Sequence, residues 1–305
     1  MRNLTFKQLR AVAEVAHTGS ISQAAKILHV SPSAISITVK QVEQDVGMPI
    51  FEKTNAGFKP TSAGHELLIA EGRIAAALKE TIEAIASIKG TKRGRVTVGC
   101  VSTAKYFVPY ALAAFRKLHP ESEIVLKVGN REEILELLES FSLDIALTGR
   151  PPQTIPVQRA EVGPHPHVVI AAPDHPFARL RNVSAKSLSN EVFLLREPGS
   201  GTRMLTERIL SEIGATPKTG MEISSNETIK QAVMAGLGIA LLSQHTVAHE
   251  IADGRLCVLK VEGTPVIRKW YIVRLSEKPM MPLTNALWNF LHKSGSSFFP
   301  STKMV

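Results

Sequence analysis

The sequence predicts an α/β protein that carries a small, all-α-type winged helix-turn-helix head. Three observations lead there. Residues 20–47 hold two apolar periodicities of helical spacing on either side of a tight turn. Residues 62–89 are continuously helix-forming, for longer than most globular helices. From residue 95 onward, apolar strand-like runs alternate with amphipathic helices, the βαβ order of a parallel sheet flanked by helices. At 305 residues the chain exceeds the usual single-domain size, so two or three domains are expected.

A first helix spans about Thr5 to His17, with Thr5 as N-cap and Phe6, Leu9, Val12, Ala13 and Ala16 turned inward. In SISQAAKILHVSPSAISITVKQVEQDVG, Ile21, Ala24, Ala25 and Leu28 mark one buried face, and Ile35, Val39, Val42 and Val46 mark a second. The opposite side of the second helix presents Ser33, Ser36, Ile37, Lys40 and Gln44. Hydroxyls and an amide can bond base edges or phosphate, a lysine neutralises phosphate, and an exposed isoleucine suits a thymine methyl. A merely solvated face is the plain alternative, because such helix pairs also occur in proteins that bind no DNA. MPIFEKTNAGFKPT reads as a β-hairpin wing turning at Asn55-Ala56-Gly57, with Lys53 and Lys59 placed to reach phosphate.

In the long helix, Leu67, Ile74, Thr81 and Ile88 recur every seven residues, with Leu78 and Ile85 in the complementary seam and Glu71 interrupting it. No other helix of that length is expected, so the same helix of a second copy is the natural partner, and a homodimer follows. KGTKRGR, residues 89–95, is the best linker. The expected organisation is 1–61 as the head, 62–89 as the dimerisation helix and 90–305 as a two-lobed α/β unit, with lobe I about 90–161 and 265–305 and lobe II about 162–264.

The first lobe takes the strands RVTVGCV, SEIVLKV and LDIALTG, with helices near Phe107–Leu118 and Arg131–Phe141. The second takes HVVIAA, VFLLR and GIALLS, with helices near Thr202–Ile213 and Glu227–Ala235. VIRKWYIVRL and a helix over Leu283–His292 return the chain to the first sheet, and SGSSFFPSTKMV reads as a mobile tail. Two lobes joined by two crossings enclose a cleft.

The net charge of +9 suits a DNA partner without identifying one, because little of the excess lies on the head: residues 1–61 hold seven basic and four acidic side chains, and residues 255–305 hold eight and two. No apolar run approaches the ~20 residues of a membrane span, and MRNLTFKQLR lacks a signal-peptide core, so a cytoplasmic protein away from membranes is expected. Cys100 and Cys257 sit in apolar runs, as buried thiols of a reducing compartment do. An enzyme is not expected: Ser200 lies in Pro-Gly-Ser-Gly and not in a Gly-x-Ser-x-Gly elbow, and HExxH and Walker loops are absent. His165, His167 and His175 stand in a proline-rich stretch without a nearby cysteine or carboxylate cluster, so no metal is expected.

Ligands of open α/β sheets bind beyond the carboxyl ends of the strands. Three polar, helix-opening stretches fall there: Ser102-Thr103 with Lys105, Gly199-Ser200-Gly201-Thr202-Arg203, and Ser225-Asn226-Glu227-Thr228. Their backbone N–H groups, with Lys105, Arg150 and Arg203, favour an anion. Simple capping is the alternative, Ser224 and Glu227 having capping-box spacing.

AAKILHVSPSAISITVKQVE, GMPIFEK and PTSAG together resemble LysR-type transcriptional regulators, and the resemblance covers the whole chain. STAKYFVP, GNREE, GRPP, FLLREPGSGTR and SNETIKQAVMAGLGIALLS are similar to the regulators of carbon-fixation (Calvin-cycle, RuBisCO) operons. The resemblance implies a periplasmic-binding-protein-like effector domain, a homodimer or homotetramer, double-stranded promoter DNA and RNA polymerase as partners, and no cofactor. It implies an anionic effector: a sugar phosphate, another phosphorylated or carboxylated metabolite, or NADPH. It carries DNA contact to Ser36, Lys53 and Thr61, and departs at Pro32, where many relatives have glutamine, and at Ile37, where they have arginine. Effector contact is expected of Ser102, Thr103, Lys105, Arg150, Thr202, Arg203, Asn226, Glu227 and Thr228. A regulator of another metabolic operon, or a solute-binding protein without DNA activity, is the competing reading.

Overall fold

The computed structural model describes residues 4–54, 57–88 and 94–301. The chain divides into two compact units, Met1–Thr91 with Glu139–Ser142, and Lys92–Leu138 with Leu143–Val305.

In the front unit, α1 (Phe6–Thr18) opens with a capping box in which Thr5 Oγ1 accepts from the Gln8 amide and Gln8 Oε1 accepts from the Thr5 amide at 2.8 Å. Ser20 caps α2 (Ile21–Ile27), and Ser31 caps α3 (Pro32–Val46), where Pro32 occupies a first-turn position that needs no N–H. Leu9, Val12, Ala24, Ala25, Ile35, Val39 and Val42 close one core with Ile50, Phe51 and Leu67. On α1 the buried face also takes Ala11 and Val15, while Phe6, Ala13 and Ala16 are only half-buried. The wing is the antiparallel pair β1 (Phe51–Thr54) and β2 (Gly57–Pro60), anchored by the Phe58 amide donating to the Gly19 carbonyl at 2.9 Å. A Cβ on Gly57 would lie 2.3 Å from that same carbonyl oxygen, so the close approach requires glycine. Asn55 and Ala56 of the expected turn lie outside the described residues.

The helix α4 (Ser62–Ile88) is 27 residues long. Leu67 is buried in the head, whereas Ile74, Leu78, Ile82 and Ile85 are exposed. Burial lifts the Glu71 carboxyl above the usual carboxylate range. Most of the expected linker, residues 89–93, lies outside the described residues.

The rear unit begins with β3 (Arg95–Val101), α5 (Val108–Leu118), β4 (Glu123–Gly129), α6 (Arg131–Glu139) and β5 (Ile145–Thr148), with β3 parallel to both β4 and β5. There follow β6 (Val157–Ala171), β7 (Val192–Arg196), α7 (Gly201–Glu212), β8 (Lys218–Ile223), α8 (Asn226–Met234), β9 (Ala240–Ser243), α9 (Gln244–Ala252), β10 (Cys257–Leu259), β11 (Val266–Leu275) and α10 (Pro282–Ser294). The main sheet runs β10-β6-β11-β5-β3-β4 with β9 beside β6, and β7 pairs with β8 apart from it.

Three differences from the sequence-based expectation have physical causes. The strand expected at HVVIAA starts ten residues earlier, at Val157, because β11 pairs along its whole polar half. Pro164 and Pro166 are tolerated where β6 has only β11 beside it, so their missing N–H groups cost no ladder bond on the open side. Helix α9 carries buried Gln244, His245 and Thr246, which mask its apolar period. The tail is not loose up to Ser301: a turn over Gly295–Phe298 leads Phe299 onto Phe107 and His245, at ring distances of 4.8 and 4.7 Å.

Candidate functional site

Two surfaces of the chain hold side chains that the fold does not use. The first is on α3. Its inward side is Ile35, Val39 and Val42. On its outward side Ser33, Lys40 and Gln44 are exposed, Ile37 is 56% exposed, and Ser36 is half-buried. Pro32 opens the helix at the exposed end. The nearby carboxylate of Glu43 accepts from the Ile50 amide at 3.1 Å, which ties it to the segment leading into the wing. On the wing, Lys59 stands across the ladder from Glu52, while Lys53 stands across from Phe58, which makes Lys53 the less compensated charge. The Thr61 hydroxyl is already engaged, donating to the Pro49 carbonyl at 2.9 Å and accepting from the Gly64 amide at 3.2 Å.

The second is a narrow crevice in the rear unit, lined by the turns that follow β3 and β5, the starts of α6 and α7, and one face of β6 and β11. Of the expected residues it gathers Ser102, Thr103, Arg150 and Thr202. Thr103 and Thr202 are each 6% exposed. Ser200, at the N-cap of α7, makes no side-chain cap bond, so the first amides of that helix remain open to an anion.

Residues not anticipated from the sequence complete the lining: Asn130, Arg131, His165, His167 and Arg268. Arg131 opens α6, and Arg268 projects from β11 directly opposite His165 on β6. Among the described residues no carboxylate pairs with Arg131, Arg150 or Arg268, and none lines the crevice. Burial, followed by the neighbouring Arg150, lowers the Arg131 guanidinium from its ordinary range. Burial acts likewise on Arg268, helped by Arg208, Arg150 and Arg131. Arg208 joins the other three around an adjoining shallow pocket. Three guanidinium groups with no counter-ion, beside an Arg208 that pairs with Glu212 at 3.6 Å, form a site that an anion would stabilise.

The other expected residues lie elsewhere. Lys105 pairs with Glu227 at 3.8 Å, and the Tyr106 hydroxyl donates to that same carboxylate. Glu227 also takes Lys230 at 2.9 Å, and Lys230 in turn reaches Glu250 at 2.9 Å. Asn226 accepts from the buried Arg196 guanidinium, which is held by Glu197 at 2.7 Å and reaches Ser102 Oγ at 3.4 Å. Arg203 turns away to Glu207 and Glu222. The cap of α8 is Ser225, accepting from the Thr228 amide, so Thr228 is a capped first-turn residue, and the capping spacing from Ser224 is not used. These groups brace the crevice wall without lining it. His175 pairs with Glu191 at 3.2 Å, apart from His165 and His167. No helix among the described residues is long and apolar enough to cross a membrane.

Comparison with known proteins follows the same division. Residues 6–65 match the bacterial regulatory helix-turn-helix model of the lysR family, and residues 89–296 match the LysR substrate binding domain. The chain is 51% identical over 298 residues to an HTH-type transcriptional regulator CbbR of Xanthobacter flavus, covering 97% of this chain and 90% of that one. It is 39% identical over 289 residues to a RuBisCO operon transcriptional regulator of Allochromatium vinosum, covering 95% and 96%. Among solved structures, the regulatory domain of CcmR from Synechocystis PCC6803 in complex with 2-PG matches at TM-score 0.64 and 35% identity, over 66% of this chain and 96% of that one.

Proposed function

The chain belongs to the LysR family of transcriptional regulators, which are not enzymes, and within it we propose that this member controls carbon-fixation (RuBisCO) genes in response to a phosphorylated metabolite held in the rear crevice. The observation that carries the effector half of this reading is the group of uncompensated guanidinium groups, Arg131, Arg150 and Arg268, facing the open first turn of α7. The CcmR regulatory domain, similar to the rear unit, has been solved in complex with 2-PG, a phosphorylated acid of this charge class.

Operator contact is assigned to Pro32, Ser33, Ser36, Ile37 and Lys40 of α3, to Lys53 of the wing, and to Thr61, whose hydroxyl would exchange its bond to the Pro49 carbonyl for a phosphate, its amide being held by the Ile50 carbonyl at 3.0 Å. We assign residues 1–61 to DNA binding, 62–89 to dimerisation and 90–305 to sensing. Ile74, Leu78 and Ile85 form an exposed seam on α4 that suits the same helix of a second copy, which sets two heads against a two-fold related operator. Ligand in the crevice shifts the placement of the heads only in so far as it binds one arrangement better than the other, and RNA polymerase is the partner that reads the change.

Footprinting of the full-length protein on promoter DNA upstream of carbon-fixation genes, with and without 2-phosphoglycolate, tests the reading. The expected result is a protected operator whose boundary changes with the ligand. Protection that no phosphorylated metabolite alters removes the effector assignment, and absence of protection removes the operon assignment.

A further inference from the structure

At the floor of the crevice, His165 and His167 stand two residues apart on one face of β6, with ring centroids 4.2 Å apart. His165 is 4% exposed and lies flat on Trp270 at 3.7 Å, and neither of its ring nitrogens has a hydrogen-bond partner among the described residues. Buried polar groups are nearly always paired, and this one is left open toward the crevice. Its Nδ1 lies 2.9 Å from where a Cβ on residue 149 would stand, so Gly149 leaves room beside that nitrogen.

The groups that face His165 are all cationic or neutral. His167 comes from its own strand, Arg268 from β11 across the ladder, Arg131 from α6, Arg150 from the turn after β5 and His245 from α9. The Nδ1 of His245 is taken by the Trp270 indole N–H at 3.2 Å, and the Nδ1 of His167 lies 3.2 Å from the His165 carbonyl. Of the three rings, only His165 has both nitrogens uncommitted. Burial first, then His167, His245 and Arg268, hold it well below the ordinary histidine range, and burial with Arg268 holds His167 at about 3. An entering oxyanion reverses the sign of the local charge. At an effective dielectric near 20, a unit charge at about 4 Å moves a titration midpoint by about three pH units. A dianion therefore raises the midpoint of the ring about twice as far as a monoanion does, against the lowering that burial and the neighbouring cations impose.

We propose that His165 is a specificity-determining residue of this crevice: as a tetrahedral dianion enters, the ring takes one proton from solvent, donates a hydrogen bond to the ligand, and so favours dianions over monoanions. This rests on the anion-binding reading of the crevice. The dianion class is shared by phosphate monoesters and by sulfate, and sulfate is the cleaner probe because it does not itself titrate between about pH 5.5 and 8.

The test is calorimetry of the full-length protein with sulfate and with methyl sulfate, its monoanionic analogue, in buffers of different ionisation enthalpy. Sulfate binding is expected to take up a proton, to a limit of about 1, and to strengthen up to about tenfold for each pH unit lowered. Methyl sulfate is expected to bind at least about tenfold more weakly. His165→Gln, which keeps a donor but cannot charge, is expected to retain sulfate binding, lose the proton uptake and narrow the preference. Unliganded, the protein's thermal midpoint falls as pH drops below about 6.5, because the unfolded chain then binds protons that the buried rings refuse, and sulfate protection grows over the same range. That second readout needs no variant. Sulfate binding that is independent of pH and buffer overturns the proposal and leaves the anion site standing. Absence of sulfate binding, or binding untouched by Arg268→Ala, overturns both.

Discussion

The outward face of α3 and the floor of the rear crevice are both unused by folding, yet they are unused in opposite ways. On α3 the outward groups are mostly exposed and all but Lys40 uncharged, so leaving them without a protein partner costs little: Ile37 and Gln44 meet water until DNA replaces it, and Ser33 shares a hydrogen bond with Ser31 at 2.9 Å. In the crevice the free groups are partly or wholly buried, so Arg131 and Arg268 repel one another and His165 is kept neutral beside them. The head is a stable surface that waits. On the proposed reading the crevice stores a repulsion that an anion relieves, which is what a sensor needs if binding is to change the balance between two arrangements.

The largest effect that separates face from core is on α3 itself. Ile35→Ala, at a side chain only 3% exposed, is expected to cost about 2 to 5 kcal/mol of stability through the cavity it leaves. Ile37→Ala, two residues on and 56% exposed, is expected to change stability by less than about 0.5 kcal/mol while weakening operator binding. Denaturant melts and gel shifts on both variants check this, and equal stability losses would show that the outward stripe is part of the core.

Next in size is Arg268→Ala. Losing one charged donor is expected to weaken 2-phosphoglycolate binding by about 1.5 to 3 kcal/mol. Because Arg208, Arg150 and Arg131 repel this guanidinium, the unliganded variant is expected to melt no lower than the parent. A variant that melts several degrees lower would mean that Arg268 is a packing residue and that the crevice stores nothing. Calorimetry and a thermal melt decide between the two.

How much was legible follows from the same contrast. Helical spacing placed Ile35, Val39 and Val42 inside and Ser33, Ile37 and Lys40 outside, because α3 is one continuous stretch whose two faces are set by its own period. The crevice draws on six separate stretches. Ser102, Thr103, Arg150 and Thr202 were readable as polar residues at strand ends, but His165 and Arg268 meet only because β6 and β11 pair in a register that no local pattern encodes. Arg203 and Glu227 carried the expected charge at the expected helix starts, and partners distant in sequence consumed both. In GNREE the arginine that opens α6 was visible, but nothing local distinguished it from a solvated one.

The smallest expected effect tests whether the charge on α3 acts in the general way that phosphate contacts do. Lys40 is exposed on the outward face and makes no ion pair among the described residues, the neighbouring Glu43 carboxylate accepting from the Ile50 amide instead. If Lys40 meets a phosphate in each of two heads, Lys40→Gln removes two counter-ions from the release that drives binding, and the slope of log affinity against log salt becomes shallower by about 1.8. The loss should be the same on operator and on unrelated DNA, because phosphate carries no sequence. A loss confined to the operator would instead place Lys40 on a base edge and move it from the positioning set into the reading set with Ser36.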